Sequence, residues 1–542
     1  MNTKSIQKGR LHRISLKFLI VVILITGIWF RFTNLDSKVY SFDESITSLR
    51  ISGYTWTEMV QQDFQGKTIS VADLQRKYQQ INSEKTWRDT VKGLATEEPQ
   101  LSPLYFILAR FWVQLFDPQV ATVRSLSALI SLLVFPSIYW LCWELFRSAS
   151  VGWMAVTIVA VSPFHVLYAQ EARPYMMFAV LVLLSNAILL RAIALQNSPT
   201  TSKLLSKAVW SIYAIALTFG LYSSLLFFLV VFAHGIYVII TENWRFGKTL
   251  IAYLLASAAA IIMFAPWIWI LVDNSEKIES TVGFPRFSLP LMSSLQPLIL
   301  ITCRIFIDTH WAGGIIKLGS SNMVTDLMRL IVMVVLLLAI AHSLYSLCCL
   351  TPKRVWLFVL TGIGITAIVL IVVRGVADRY MVPYILAIQI AVAYLFTTKI
   401  AAATNPRQQK LWQLGLIALI SSGIVSCAVS SQSQLWWNKY PSSTKYNPQV
   451  AAIVNQAKKP LVITHGGNNI TGKILSVSYL LKPQVQFLLA VKPEQVKIPD
   501  GFSDVFLYRP TEALQFELEK VQKYNITPID KPDAGWLWRV EK

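Results

Sequence analysis

The chain has 542 residues, of which 54% are hydrophobic and only 14% charged, with a mean hydropathy of +0.51. That balance excludes an ordinary soluble protein and points to one that crosses a membrane many times. The net charge of +20 is spread over short loops with no basic stripe or aromatic-interleaved patch, which argues against nucleic acid and for an anionic membrane surface or a phosphate-bearing lipid.

The first apolar run, Leu16–Phe32, follows Lys4, Lys8, Arg10, Arg13 and Lys17. The positive-inside rule keeps this basic tail in the cytoplasm. The run is long enough to span and lacks a small-residue cleavage site, so it reads as an uncleaved first span. Ser41-Phe42-Asp43-Glu44-Ser45 then emerges on the outer face. Two adjacent carboxylates at a membrane surface are costly to desolvate unless something uses them, while a solvated loop or helix cap is the plainer reading of the pair alone. Further along the same loop, Ser70 and Asp73 open a helix in which Leu74, Tyr78 and Ile81 recur at helical spacing. Trp87, Val91 and Leu94 mark a second such face, and both helices are expected to lie on the membrane surface. Glu97-Glu98-Pro99 and Pro103 then stop a helix and set the entry of the next apolar stretch.

Eleven spans are predicted, over 16–33, 122–146, 151–168, 174–194, 207–220, 222–240, 249–271, 325–350, 355–373, 379–397 and 411–430. Leu101–Phe116 and Leu289–Ile307 are shorter, and each carries a cation, Arg110 or Arg304, as interfacial segments do. Leaving both out of the count places Arg147, Arg191, Lys203, Lys207, Arg245, Lys248, Lys353, Arg354, Lys399, Arg407 and Lys410 on the inside, as the charge rule prefers. The resulting organisation is an all-α polytopic membrane domain over 1–431, with outer loops 34–121 and 272–324, and a small extracytoplasmic α/β domain over 432–542. Its strands are expected at Pro460–Thr464, Val485–Ala490, Asp504–Tyr508 and Trp536–Val540, with an amphipathic helix over Thr511–Tyr524. The five cysteines, Cys142, Cys303, Cys348, Cys349 and Cys427, have no zinc or redox spacing.

Short outer turns should be poor in cations, yet Arg173, Arg374 and Arg379 fall there. A phosphate at the outer membrane face accounts for guanidinium groups in that position. Phe42-Asp43-Glu44, Pro103-Leu104-Tyr105, Arg124-Ser-Leu-Ser-Ala128, Ser162-Pro163-Phe164 and Gln170-Glu171-Ala172-Arg173-Pro174-Tyr175 together resemble the dolichyl-phosphate-mannose–protein mannosyltransferase-like family. That family of C-type membrane glycosyltransferases includes the aminoarabinose transferase and the Rgt-type lipopolysaccharide transferases. The likeness covers about residues 10–270, with weaker support from Asp378-Arg379-Tyr380 and Pro383; where many relatives carry His-Pro-Pro, this chain has Leu101-Ser102-Pro103. The resemblance implies juxtamembrane helices in the first outer loop and a cavity open to the outer face. It implies inverting transfer of one hexose or pentose from a polyprenyl-phosphate carrier to a lipid, glycan or protein acceptor. On that analogy Asp43 is the general base, Glu44 its neighbour in the acidic motif, and Glu171 a second acid at the cavity floor.

Such a transfer needs a base for the acceptor hydroxyl and stabilisation of the departing phosphate. Asp43 supplies the first, and Arg173, Arg379 and Arg374 are the candidates for the second. A divalent metal held by Glu97, Glu98, Asp308 and His310 is also a candidate, against the reading of scattered loop polar groups. No Gly-rich loop for a nucleotide sugar is present in the sequence. Gly313 and Gly314 suggest a gate within 272–324. The rival functions are a transporter or flippase of a lipid-linked sugar, disfavoured by the lack of internal repeats and of mid-membrane charges, and a non-catalytic scaffold displaying the tail domain.

Overall fold

The computed structural model describes residues 3–282, 292–308, 323–373, 375–436, 444–529 and 535–541. The chain divides into two compact units, one of Met1–Thr33, Pro99–Leu104 and Arg124–Gln432, the other of Asn34–Glu98, Tyr105–Val123 and Ser433–Lys542.

The first unit is helical. Among the described residues, eight helices are long and apolar enough to cross a membrane: Val120–Phe146, Tyr175–Gln196, Lys203–Ser223, Lys248–Asp273, Val324–Leu350, Lys353–Val372, Val382–Ala402 and Pro406–Gln432. A ninth candidate is the pair Ala149–Ala160 and Pro163–Ala169, bent by 60°. The other two expected spans fall on Phe227–Thr241, a helix of 15 residues, and on the helix Thr3–Phe32. Leu104–Leu115, which falls in the second unit from Tyr105 on, is a helix of 12 residues, and at a rise of about 1.5 Å per residue it reaches roughly 18 Å, well short of an apolar bilayer core of about 30 Å. Met292–Arg304, with 13 residues, falls short for the same reason.

The bend at 161–163 has a local cause. Pro163 has no N–H to continue the ladder, so the helix Ala149–Ala160 stops there, with Ser162 N–H turning back to Val159 O at 3.3 Å. The buried Arg31 donates to the same end, to Ala160 O at 2.6 Å and Val159 O at 3.2 Å. The two helices can meet there because Gly27 has no Cβ; one built on it would lie 2.3 Å from Ala160 O.

The second unit is built on a sheet of six strands, β1 (Gln65–Ser70), β2 (Pro460–His465), β3 (Gln486–Ala490), β4 (Asp504–Tyr508), β5 (Asn525–Pro528) and β6 (Leu537–Glu541), in the order β1-β3-β2-β4-β6-β5. The centre, β3-β2-β4, is parallel, and β1, β6 and β5 extend it by antiparallel pairing. Parallel strands are covered on both faces, which is why β2 and β3 read as unbroken apolar runs. On one face Val462, Phe487 and Phe506 pack with Ile470, Ile474 and Leu475 from the helix Asn468–Ser478 and with Ile46 and Leu49 from the helix Phe42–Ser52. On the other, Leu461, Ile463, Leu488 and Leu507 meet Leu514 and Leu518. The helix expected over Thr511–Tyr524 is α-helical only over Glu512–Phe516 and continues as a π turn over Glu517–Val521. Leu74 and Tyr78, expected to face lipid, are fully buried in the first of these cores instead. Their apolar stripe had a protein partner that lies some four hundred residues away in sequence, as the pairing of β1 with β3 makes plain.

Candidate active-site elements

In the second unit, Phe42–Ser52 begins with Ser41 as its N-cap, closed by a capping box. Glu44 Oε2 accepts from Ser41 N and from Ser41 Oγ, both at 2.9 Å, while Glu44 N–H donates to Ser41 Oγ. The arrangement satisfies orphan donors of the first helical turn, and it accounts for a fully buried carboxylate at this place. Asp43 differs. It is only half-buried and sits in the first turn, where the helix dipole favours a negative charge. The two acids read as one motif in the sequence therefore differ: Glu44 is fully buried and closes the capping box, and Asp43 is half-buried in the same turn.

Arg50 anchors the other end of this helix. Its guanidinium is buried, with Nη1 2.7 Å from Glu97 Oε2 and Nε 3.0 Å from Glu98 Oε2, and it stacks on the Trp56 ring at 4.7 Å. Glu97 also accepts from the backbone N–H groups of Trp56 and Thr57. The structure thus brings Glu97 and Glu98 together around Arg50. Asp308 belongs to the first unit, 3.9 Å from Arg304, and His310 lies outside the described residues, as do Gly313, Gly314 and Arg374. Among the described residues no three His, Cys, Asp or Glu converge as a metal-binding group.

In the first unit, the turn after Pro163–Ala169 carries Glu171 and Arg173. Gln170 ties it to the end of the first helix, its Nε2 donating to Phe30 O at 2.7 Å and Thr33 O at 2.9 Å. Arg173 N–H donates to Glu171 O, and Ser127 Oγ donates to Arg173 O. Glu171 is fully buried and Arg173 nearly so. Arg379 lies on a short 3-10 turn, Asp378–Tyr380, its guanidinium 4.9 Å from the Tyr380 ring centre. Tyr168, just before the 171 turn, is buried as well. Asp378, the neighbour of Arg379, has Arg304 Nη1 at 3.5 Å. Burial holds the Asp378 carboxyl above its usual range, against the opposing pull of Arg304.

Sequence reasoning missed Tyr168, Arg304 and Arg31. Tyr168 was in view as part of a motif, but nothing local distinguishes its hydroxyl. Arg31 stands near the end of the first apolar run, and no motif singles it out. His165 and His234 are both buried, the first bonded to Gln389 at 2.9 Å and the second to Tyr213 at 2.8 Å.

Residues 98–270 match the family model described as dolichyl-phosphate-mannose-protein mannosyltransferase. The match takes in Glu171 and Arg173 and leaves Asp43 and Arg379 outside it. Among solved structures, the archaeal oligosaccharyltransferase AglB from Archaeoglobus fulgidus, in complex with an inhibitory peptide and a dolichol-phosphate, is similar with a TM-score of 0.50 and 11% identity, over 96% of this chain and 74% of its own. ArnT from Cupriavidus metallidurans, bound to undecaprenyl phosphate, is similar with a TM-score of 0.48 and 14% identity, over 97% of this chain and 98% of its own. No curated protein matches the chain in sequence. At these identities the likeness shows the fold, and the AglB match carries it. The chain is a multi-pass membrane protein of the C-type glycosyltransferase fold with a small C-terminal sheet region, and the family resemblance read from its motifs is borne out over residues 98–270.

Proposed function

We propose that this chain, a C-type glycosyltransferase fold whose residues 98–270 match the dolichyl-phosphate-mannose-protein mannosyltransferase model, transfers a sugar from a polyprenyl-phosphate carrier to an acceptor hydroxyl. The family match is the observation that carries this reading. In this reading it takes place at the outer face of the cytoplasmic membrane, with the N-terminus inside and the C-terminal region outside, an orientation that the distribution of Lys and Arg favours. The acceptor is a lipid, a glycan or a protein.

In the proposed step the acceptor oxygen attacks the anomeric carbon and loses its proton to Asp43. The bond from that carbon to the phosphate oxygen breaks, its electron pair leaves with the lipid phosphate, and the anomeric configuration inverts. Arg379, with Arg173, holds the departing phosphate; a guanidinium offers paired N–H donors that match phosphate oxygens. Glu171, on the same turn as Arg173, is the second acid in this reading. Glu44 serves as the cap that shapes the first turn behind Asp43. Should a divalent ion take part, Asp308 is the described candidate ligand in the unit that holds Arg379.

The test uses purified protein in proteoliposomes with a polyprenyl-phosphate-linked sugar. Sugar transfer to an acceptor supports the reading, whereas translocation of the lipid with its sugar never transferred supports a flippase. Arg379→Ala is expected to weaken binding of the polyprenyl phosphate about 10- to 100-fold, the loss of one charge-assisted contact of roughly 1.5–3 kcal/mol. Arg379→Lys should recover only part, because a point charge lacks the fork. Unchanged lipid binding in Arg379→Ala would remove that residue from the phosphate site.

A further inference from the structure

We propose that the helix Asn468–Ser478 of the C-terminal segment is the seat that positions the acidic helix Phe42–Ser52, with Gly472 and Ser476 acting as positioning residues for Asp43. The proposal rests on the reading of Asp43 as the base, and it gives the C-terminal region a role in the transfer.

Three observations within the second unit support it. First, Phe42, the immediate neighbour of Asp43, presses its ring on the bare backbone at Gly472. A Cβ built on Gly472 would lie 2.6 Å from the Phe42 ring, closer than carbon atoms approach, so the ring sits where it does only because this residue is glycine. Second, a directional chain of buried hydrogen bonds runs from the central sheet to the backbone just before the acidic helix. Tyr508 on β4 donates its hydroxyl to Asn447 Oδ1 at 2.9 Å. Asn447 Nδ2 donates to Ser476 Oγ at 3.1 Å, and Ser476 Oγ donates to Tyr40 O. Asn447, Ser476 and Tyr508 are all fully buried, and Tyr40 is almost so. Each member uses its proton in the same sense, so the relay is complete, and a complete buried relay fixes one geometry in preference to its neighbours. Third, the Tyr479 ring lies 4.6 Å from the Tyr40 ring, and the Tyr479 hydroxyl donates to Gln79 Oε1, whose amide nitrogen donates to Ser45 O. The start of the acidic helix is thereby gripped on the residue before its cap, in its first turn and just after it.

Fixing Phe42 and Tyr40 fixes the direction in which Asp43 leaves the helix, since successive helical residues differ by about 100° around the axis. A base displaced by about 1 Å loses on the order of a hundredfold in rate while substrate binding elsewhere is retained. The seat is therefore expected to act on kcat and not on the affinity for the lipid donor.

The test compares Gly472→Ala, Gly472→Val, Ser476→Ala and the size swap Gly472→Ala with Phe42→Leu, in full-length protein assayed for transfer at saturating lipid-linked sugar. Both Gly472 variants should lower kcat about 10- to 100-fold with the donor KM within about threefold of wild type. The swap should recover most of the loss seen in Gly472→Ala, which a general structural defect would not allow. If Gly472→Val does not fold, Ser476→Ala carries the same expectation with a smaller loss. Asp43→Asn separates the two readings. Where Asp43→Asn is inactive but Gly472→Ala and Ser476→Ala keep wild-type kcat, the seat is overturned and the base stands. Where Asp43→Asn is fully active, the base reading is overturned directly. A loss in Gly472→Ala that Phe42→Leu fails to recover also overturns the seat.

Discussion

Asp43→Asn is expected to lower transfer by about 10²–10⁴-fold while leaving the donor KM and the melting temperature close to wild type, because positioned proton transfer typically contributes that much to rate. The substitution keeps the size of the side chain and removes its negative charge together with its capacity to take the proton; the lost interaction with the helix dipole costs only about 0.3–1 kcal/mol of stability. By the usual conversion, a loss of this size corresponds to about 3–5 kcal/mol of transition-state stabilisation. Glu44→Gln is the informative partner. Glu44 closes the capping box on Ser41, and its amide replacement keeps an acceptor oxygen for the Ser41 N–H, so its cost should appear as a loss of about 0.5–2 kcal/mol in stability with most activity retained. Steady-state rates and thermal melts of the two variants side by side decide the matter. Equal rates in Asp43→Asn and wild type remove the base; collapse in Glu44→Gln with Asp43→Asn intact would exchange the roles of the two acids.

The membrane domain was legible because a bilayer imposes a length and a composition on whatever crosses it, and those survive in one-dimensional form. The central strands of the second unit were legible for a similar reason, being apolar on both faces. What escaped was decided by partners far away in sequence. β1 carries one large apolar residue, Ile69, among Gln65, Gly66, Lys67, Thr68 and Ser70, and has a register shift between Gln65 and Lys67. As an edge strand it needs only a ladder partner, which no local pattern reveals. The helix Asn468–Ser478 opens with Gly467, Asn468 and Asn469 and contains Gly472, residues that individually favour turns. Its helical state comes from Ile470, Ile474 and Leu475 packing on the sheet and from the close approach of Phe42. The site divides the same way. Asp43 and Glu44 were found together by composition, but only the capping geometry tells them apart. Glu97 and Glu98 read either as metal ligands or as scattered loop polar groups, and the guanidinium that gathers them is Arg50, which no motif in the sequence singles out.

Arg50→Ala should therefore be the most destabilising single change in the second unit, by about 3–5 kcal/mol, since removing one partner of a buried ion pair leaves the other charge uncompensated. Glu97 and Glu98 are only 8% and 12% exposed at their side chains, so neither carboxylate has water to fall back on. Glu97 keeps its two backbone N–H donors, and the larger penalty falls on Glu98. Thermal unfolding of the purified protein should shift down by roughly 6–20 °C, taking about 2–4 °C per kcal/mol for a unit of this size. Arg50→Lys should recover only part of the loss, because the wild-type guanidinium reaches both acids at once from Nη1 and Nε and stacks on Trp56. Adding Glu98→Gln to Arg50→Ala should make the protein more stable than Arg50→Ala alone, the reverse of what two independent destabilising changes would give. Such a sign reversal distinguishes an uncompensated buried charge from simple loss of packing. A double variant no better than the single one would mean that Glu98 reaches water once Arg50 is gone, and that the helix carrying Asp43 is held at this end by the Trp56 contact more than by charge.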